Sequence, residues 1–171
     1  MTQHVLFIVT NAAVLGPKNR KTGFFFAEVA HPFDVLDKAG IAVEFASPAG
    51  GWTPYDAHDE KDPAQKEFLE SKAFRRLNHS RKLAEVDAAD YDAILMPGGL
   101  GPMVDIQRNR DVSRHNSGTL EGDERRHRAT GGDTKELNFL NLPVKSGASG
   151  PLRRQRSYVR IVSGAPDFSM T

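Results

Sequence analysis

Five consecutive apolar residues near the start of the chain, Val5-Leu6-Phe7-Ile8-Val9, restrict its fold more than any other feature. A strand with one solvated face alternates apolar and polar side chains. A run that is apolar throughout, and β-branched or aromatic at all but Leu6, has no face to give to water; this is the pattern of a parallel strand covered on both sides. It predicts a central strand of an α/β sheet. Pro17 to Thr22 then reads as a polar loop, after which Phe26, Val29, Phe33, Leu36 and Gly40 recur at helical spacing, with Ala39-Gly40 as the stop. Pro32 falls inside that pattern and predicts a kink or a short first segment. Ile41 to Ser47 reads as a second strand ended by Pro48. Strand, loop, helix and strand in this order make a βαβ unit, which generates a parallel sheet with helices on both faces.

Residues 48–63 hold Pro48, Gly50, Gly51, Pro54 and Pro63 and predict an irregular excursion of the length that is often functional in compact α/β domains. A short helix is expected over 64–74 and another short piece over 83–89. Tyr91 to Met96 reads as a third strand, stopped by Pro97-Gly98-Gly99. Beyond Asp111 the pattern breaks. Of the 59 residues from Ser113 onward, 13 are Val, Ile, Leu, Met, Phe, Trp or Tyr, and Glu121 to Thr134 has no helical or strand period. That is too little apolar material to continue the sheet; only Tyr158 to Val162, and more weakly Phe139 to Val144, resemble strands. The expected organisation is an α/β domain over 1–112 and an irregular polar tail over 113–171, diverged, disordered or read in a shifted frame.

The chain has 171 residues and a formal net charge of +1, with no cysteine. One domain of this length buries roughly 70% of its unfolded surface. Residues 1–112 carry 13 Lys/Arg against 16 Asp/Glu, a balance of −3, and residues 113–171 carry 10 against 6, a balance of +4. The total predicts no nucleic-acid partner. The basic strings Arg125-Arg126-His127-Arg128 and Arg153-Arg154-Gln155-Arg156 lack interleaved aromatics and read as a solvated tail. The first residues lack a signal-peptide pattern and no run is long enough to span a bilayer, so a cytoplasmic protein with no membrane partner is expected. Zero cysteines excludes disulfides and thiolate metal sites.

Ligands of open parallel sheets bind outside the carboxyl ends of the strands, here where the loops 10–22, 47–63 and 97–102 should meet. Gly98, Gly99 and Gly101 would let backbone N–H groups approach a bound oxygen, as an oxyanion site requires; a turn needing positive φ explains them equally well. The string is neither a phosphate-binding P-loop nor a dinucleotide fingerprint. Glu28 lies off the apolar helix stripe, a position that suits a solvated carboxylate near a helix start or a general base at the ligand edge. His58-Asp59-Glu60 with Asp62 looks metal-like but reads more simply as a charged loop, and no histidine pair has a zinc-helix spacing, so no metal or cofactor is expected. Ser149 nearly forms a nucleophile elbow, yet Pro151 replaces its last glycine and no apolar strand precedes it.

Taken together, Lys21-Thr22-Gly23-Phe24-Phe25-Phe26-Ala27-Glu28-Val29-Ala30-His31-Pro32-Phe33, then Lys38-Ala39-Gly40, Val43 to Pro48, Ala88 to Ile94, Met96 to Gly101 and Asp105, resemble the ThiJ/PfpI superfamily. The match covers residues 4–112 and is strongest to the heat-shock branch of glutathione-independent glyoxalases, also described as glyoxalase III, D-lactate dehydratases, deglycases or chaperones. The resemblance implies a flavodoxin-like doubly wound parallel sheet, here incomplete, a homodimer as is usual in the family, and a small carbonyl compound such as methylglyoxal as substrate. It assigns Glu28 as the acid/base glutamate that hydrogen-bonds a catalytic thiol, and Gly98 and Gly99 as backbone donors of the oxyanion site.

Two departures stand against that assignment. Leu100 occupies a position where the heat-shock branch commonly has histidine. The family next supplies an apolar strand ending in a Cys-His elbow, whereas this chain has Arg125-Arg126-His127-Arg128-Ala129-Thr130-Gly131-Gly132 in about that region. The family chemistry adds a thiolate to the aldehyde while the glutamate and histidine move protons; without the thiol that covalent route is closed. The chain is therefore expected to lack glyoxalase activity, the other reading being a non-catalytic protein for small ligands or with chaperone-like action.

Overall fold

The computed structural model describes residues 3–107, 109–113 and 158–161. Its centre is a sheet in which β1 (His4–Ile8) is flanked by β5 (Ala42–Ser47) on one side and β8 (Ala93–Met96) on the other, all parallel. The 2-1-3 order of these three strands is the start of the flavodoxin-like arrangement. A fourth parallel strand, β7 (Arg81–Lys82), extends the β5 edge, and β9 (Tyr158–Ile161) pairs antiparallel with β8.

The continuous apolar run behaves as its chemistry demands. Val5, Phe7 and Val9 join one core cluster, and Leu6 and Ile8 join the other. Each fully buried side chain of this size contributes about 1.5–3 kcal/mol of transfer free energy. On the first face, α1 (Ala27–Lys38), α2 (Pro63–Glu70) and α3 (Lys72–Leu77) set Val29, Phe33, Phe68 and Leu77 against Phe7 and Phe45. The second face is covered by short 3₁₀ turns at Leu83–Glu85 and Ala88–Asp90, and by Ile106 and Val112 after α4 (Pro102–Asp105).

Helix α1 ends as expected. Gly40 has φ +72° and its N–H donates to the Asp37 carbonyl at 3.0 Å, while Ile41 N–H donates to the Leu36 carbonyl at 2.9 Å. These two bonds form a Schellman stop. Pro32 does not interrupt the helix, so the short first segment that it allowed does not form. It sits on the buried face, where packing offsets the one bond it cannot make, to the Glu28 carbonyl. The helix expected over 64–74 is two helices hinged at Ser71, whose hydroxyl accepts the Phe74 N–H that starts α3.

The strand expected at Tyr158 to Val162 forms as β9, and its four residues pair with β8 over Ala93 to Met96, so the sheet extends past Asp111. The unanticipated strands are two residues each. β2 (Val14–Leu15) pairs with β3 (Arg20–Lys21) inside the polar loop, and β4 (Phe24–Phe25) pairs with β6 (Tyr55–Asp56). Phe139 to Val144 lies outside the described residues. No helix among the described residues is long and apolar enough to cross a membrane.

Candidate functional site

The three loops anticipated at the carboxyl edge of the sheet interlock. Asn11 follows β1, and its side-chain amide donates to the Gly50 and Trp52 carbonyls at 3.2 and 2.9 Å while its Oδ1 accepts the Ala49 N–H at 2.8 Å. Asp105 at the end of α4 accepts from the Thr10 hydroxyl at 2.6 Å and the Asn11 N–H at 2.7 Å. Thr10 Oγ1 in turn accepts from Ala12 N–H at 2.9 Å. One Asn and one Asp thus tie the loops after β1, β5 and β8 together with charge-assisted and neutral bonds. Thr10 and Asn11 were invisible as site residues in the sequence, since a Thr-Asn pair after a strand is ordinary turn composition.

Into this edge comes α1. Glu28 stands in its first turn and is 7% exposed, so it is not the solvated carboxylate that its position suggested. Its Oε2 accepts the Gly98 N–H at 2.5 Å, a short charge-assisted bond. The Gly98 carbonyl accepts from Phe25 N–H at 2.9 Å, and Gly101 N–H donates to the Gly23 carbonyl at 3.1 Å, so the glycine turn is pinned to the segment that launches α1. Gly99 has φ +120°, and a Cβ there would lie 2.8 Å from the Gly23 carbonyl oxygen and 2.9 Å from the Phe25 nitrogen. Both the dihedral and the close approach require glycine. The structure therefore brings Glu28, Gly98 and Gly99 together at this edge.

Phe26, two residues before Glu28, is fully buried and anchors the helix start. Its ring meets those of Tyr55, His58, Phe68 and Phe74 at centroid distances of 4.8, 4.8, 5.8 and 6.0 Å. Such edge and tilted contacts add directional energy to an already large burial. His31, one turn after Glu28, meets Asp62 through Nε2 at 2.7 Å. Asp62 also caps α2 by accepting from Ala64 and Gln65 N–H. Burial pushes the Asp62 carboxyl up, but hydrogen bonds from His31 and Gln65 outweigh it and hold the group below its ordinary value.

The metal-like string dissolves in three dimensions. His58 packs edge-on against Phe26, Asp59 turns back to Lys61 N–H, and Asp62 caps its helix. Among the described residues no group of three or more His, Cys, Asp or Glu side chains could hold a metal ion. Ser149 and the arginine strings of the tail lie outside the described residues.

No family model matches the chain. Glyoxalase 3 of Candida albicans is 29% identical over 101 residues, 56% of this chain and 43% of that protein. The glutathione-independent glyoxalase HSP31 of Saccharomyces cerevisiae is 30% identical over 101 residues, covering 54% and 41%. Among solved structures, the 24 kDa Rapid Encystment Protein of Francisella tularensis superposes with a TM-score of 0.62 at 30% identity, over 67% of this chain and 52% of that one. Glyoxalase III of Candida albicans gives 0.58 at 25% identity, over 71% and 53%. The chain spans less than half the length of these curated relatives. With the sheet order, the Glu28–Gly98 contact and these similarities in hand, the chain is shown to resemble, over part of its length, the ThiJ/PfpI superfamily in its glutathione-independent glyoxalase branch.

Proposed function

We propose that this chain retains the binding side of a glyoxalase III-type site, for a small carbonyl compound such as methylglyoxal, and does not itself turn that compound over. The observation that carries the reading is the buried Glu28 carboxylate on the Gly98 N–H in a chain of 171 residues without a cysteine. Glu28 is then an acid/base group with no thiol to serve. Gly98 already gives its N–H to Glu28, whereas Gly99 N–H makes no hydrogen bond among the described residues and is the donor left for a carbonyl oxygen.

The test has two arms. With methylglyoxal and no glutathione, the purified chain should form no D-lactate above the blank. Lactate that scales with protein and disappears in Glu28→Gln would overturn the inactive half of the reading. With hydroxyacetone, a carbonyl of the same size, the Gly99 backbone amide resonance should shift saturably; an unmoved resonance sinks the binding half. A chaperone-like role is the second reading, favoured by Trp52 on the loop after β5 and Met103 and Val104 on α4, exposed to 62%, 60% and 47% at this edge. Suppression of the aggregation of a heat-denatured client protein, lost in Trp52→Ser, would support it.

A further inference from the structure

A cleft of about 330 Å³ lies on the opposite side of β1 from β8, the strand that leads into the Gly98 turn, lined by Val43, Glu44, Phe45, Arg76, His79 and Arg81. It exists because β7 is too short. Its two residues pair only with Ala46 and Ser47, so among the described residues the first half of β5 has no strand neighbour on that edge. Ala42 N–H and the Ala46 carbonyl bond toward β1, at Gln3 and Val9. Backbone groups alternate sides along a strand, so the N–H groups of Val43 and Phe45 point the other way, into the cleft.

Cationic side chains surround these amides. Arg81 is partly committed, at 3.3 Å from Glu44, and Glu44 also accepts the Tyr91 hydroxyl at 2.7 Å. Arg76 is exposed, and its guanidinium makes no hydrogen bond or ion pair among the described residues, its backbone carbonyl alone accepting from His79 N–H at 3.0 Å. His79, on the rim, donates from Nδ1 to the Arg75 carbonyl at 2.9 Å and adds no charge to this count. Two guanidinium groups against one carboxylate that already has two donors leave an excess of positive charge beside unpaired amides.

We propose that this cleft binds the phosphate group of a small phosphate ester. Arg76 supplies the fork that matches phosphate oxygens, Arg81 the second charge, and the Val43 and Phe45 amides the fixed donors. The cleft exceeds the volume of inorganic phosphate, which leaves room for the organic part of the ester.

The ¹⁵N-labelled full chain, titrated at constant ionic strength with inorganic phosphate and then with glycerol phosphate, tests this. The Val43 and Phe45 amides should shift saturably with a Kd of about 1–10 mM for phosphate, and tighter for the ester. Arg76→Gln should weaken binding about fivefold or more, the loss of one charge-assisted contact. A basic last turn also complements the dipole of a helix C-terminus, so Arg75→Gln is the control. Equal weakening by Arg75→Gln, acetate binding as tightly as phosphate, or shifts that do not saturate by about 50 mM would each overturn the proposal.

Discussion

Replacing Glu28 separates a carboxylate that stabilises the fold from one that is held at a cost. If the contact with Gly98 is structural, Glu28→Ala removes a hydrogen bond to a charged acceptor and strands a buried N–H, about 1.5–3 kcal/mol. The carboxylate also lies in the first turn of α1, where its interaction with the helix dipole adds about 0.3–1 kcal/mol. The expected loss is therefore about 2–4 kcal/mol, which for a chain of this length lowers the midpoint by roughly 4–15 °C. Glu28→Gln keeps an acceptor for Gly98 and should lose about 1 kcal/mol, the charge-assisted part alone. Urea unfolding followed by circular dichroism, with the slope held common, measures both. Were Glu28→Ala as stable as the parent or more so, the structural reasoning would be refuted: desolvating the carboxylate would then exceed what its hydrogen bond returns, as at a site kept for binding.

Gly99→Ala should destabilise by about 1–3 kcal/mol, because it combines φ +120° with a Cβ 2.8 Å from a backbone oxygen; a thermal melt within a degree of the parent would contradict the tight turn. Phe26→Ala should cost about 3–5 kcal/mol and abolish near-ultraviolet ellipticity from the ring cluster. Asp62 is depressed in the folded state, so its stabilising share is present above its unfolded value near 3.8 and is lost as the pH falls through that range. Accordingly Asp62→Asn, which retains a cap, should flatten the acid limb of the stability profile. Burial first, then the hydrogen bond to Glu44, raises the Tyr91 phenol to about 12. That stabilisation is present below pH 10 and lost as the pH climbs toward 12, so absorbance titration should show one of the three tyrosines ionising late.

Much of the fold was legible because its signals are local. The apolar run at Val5 to Val9, the helical spacing ending in Ala39-Gly40 and the stop at Pro97-Gly98-Gly99 each report on their own residues, and each element formed within a residue or two of its expected place. That the helix runs through Pro32 without ending was not legible, because local rules price a missing hydrogen bond and not the core packing that offsets it. The short strands β2, β3, β4, β6 and β7 carry two residues each, too few for any period to register. Strand β9 was legible at Tyr158 to Val162, but its antiparallel pairing with β8 runs through the backbone and leaves no trace in composition.

The candidate site divides the same way. Sequence alone determined that the chain holds a parallel α/β sheet, a glycine turn after the third long strand, a glutamate at the start of the first helix and no thiol anywhere. Tertiary structure decided that Glu28 is buried against Gly98, 70 positions away, and that Thr10 and Asn11 reach Asp105 across 95 and 94 positions. It also decided that a short edge strand opens a cleft under Arg76 and Arg81. The physical reason is that periodicity and turn chemistry act over a few residues, while burial of a charge and pairing of distant loops exist only once the chain has closed on itself.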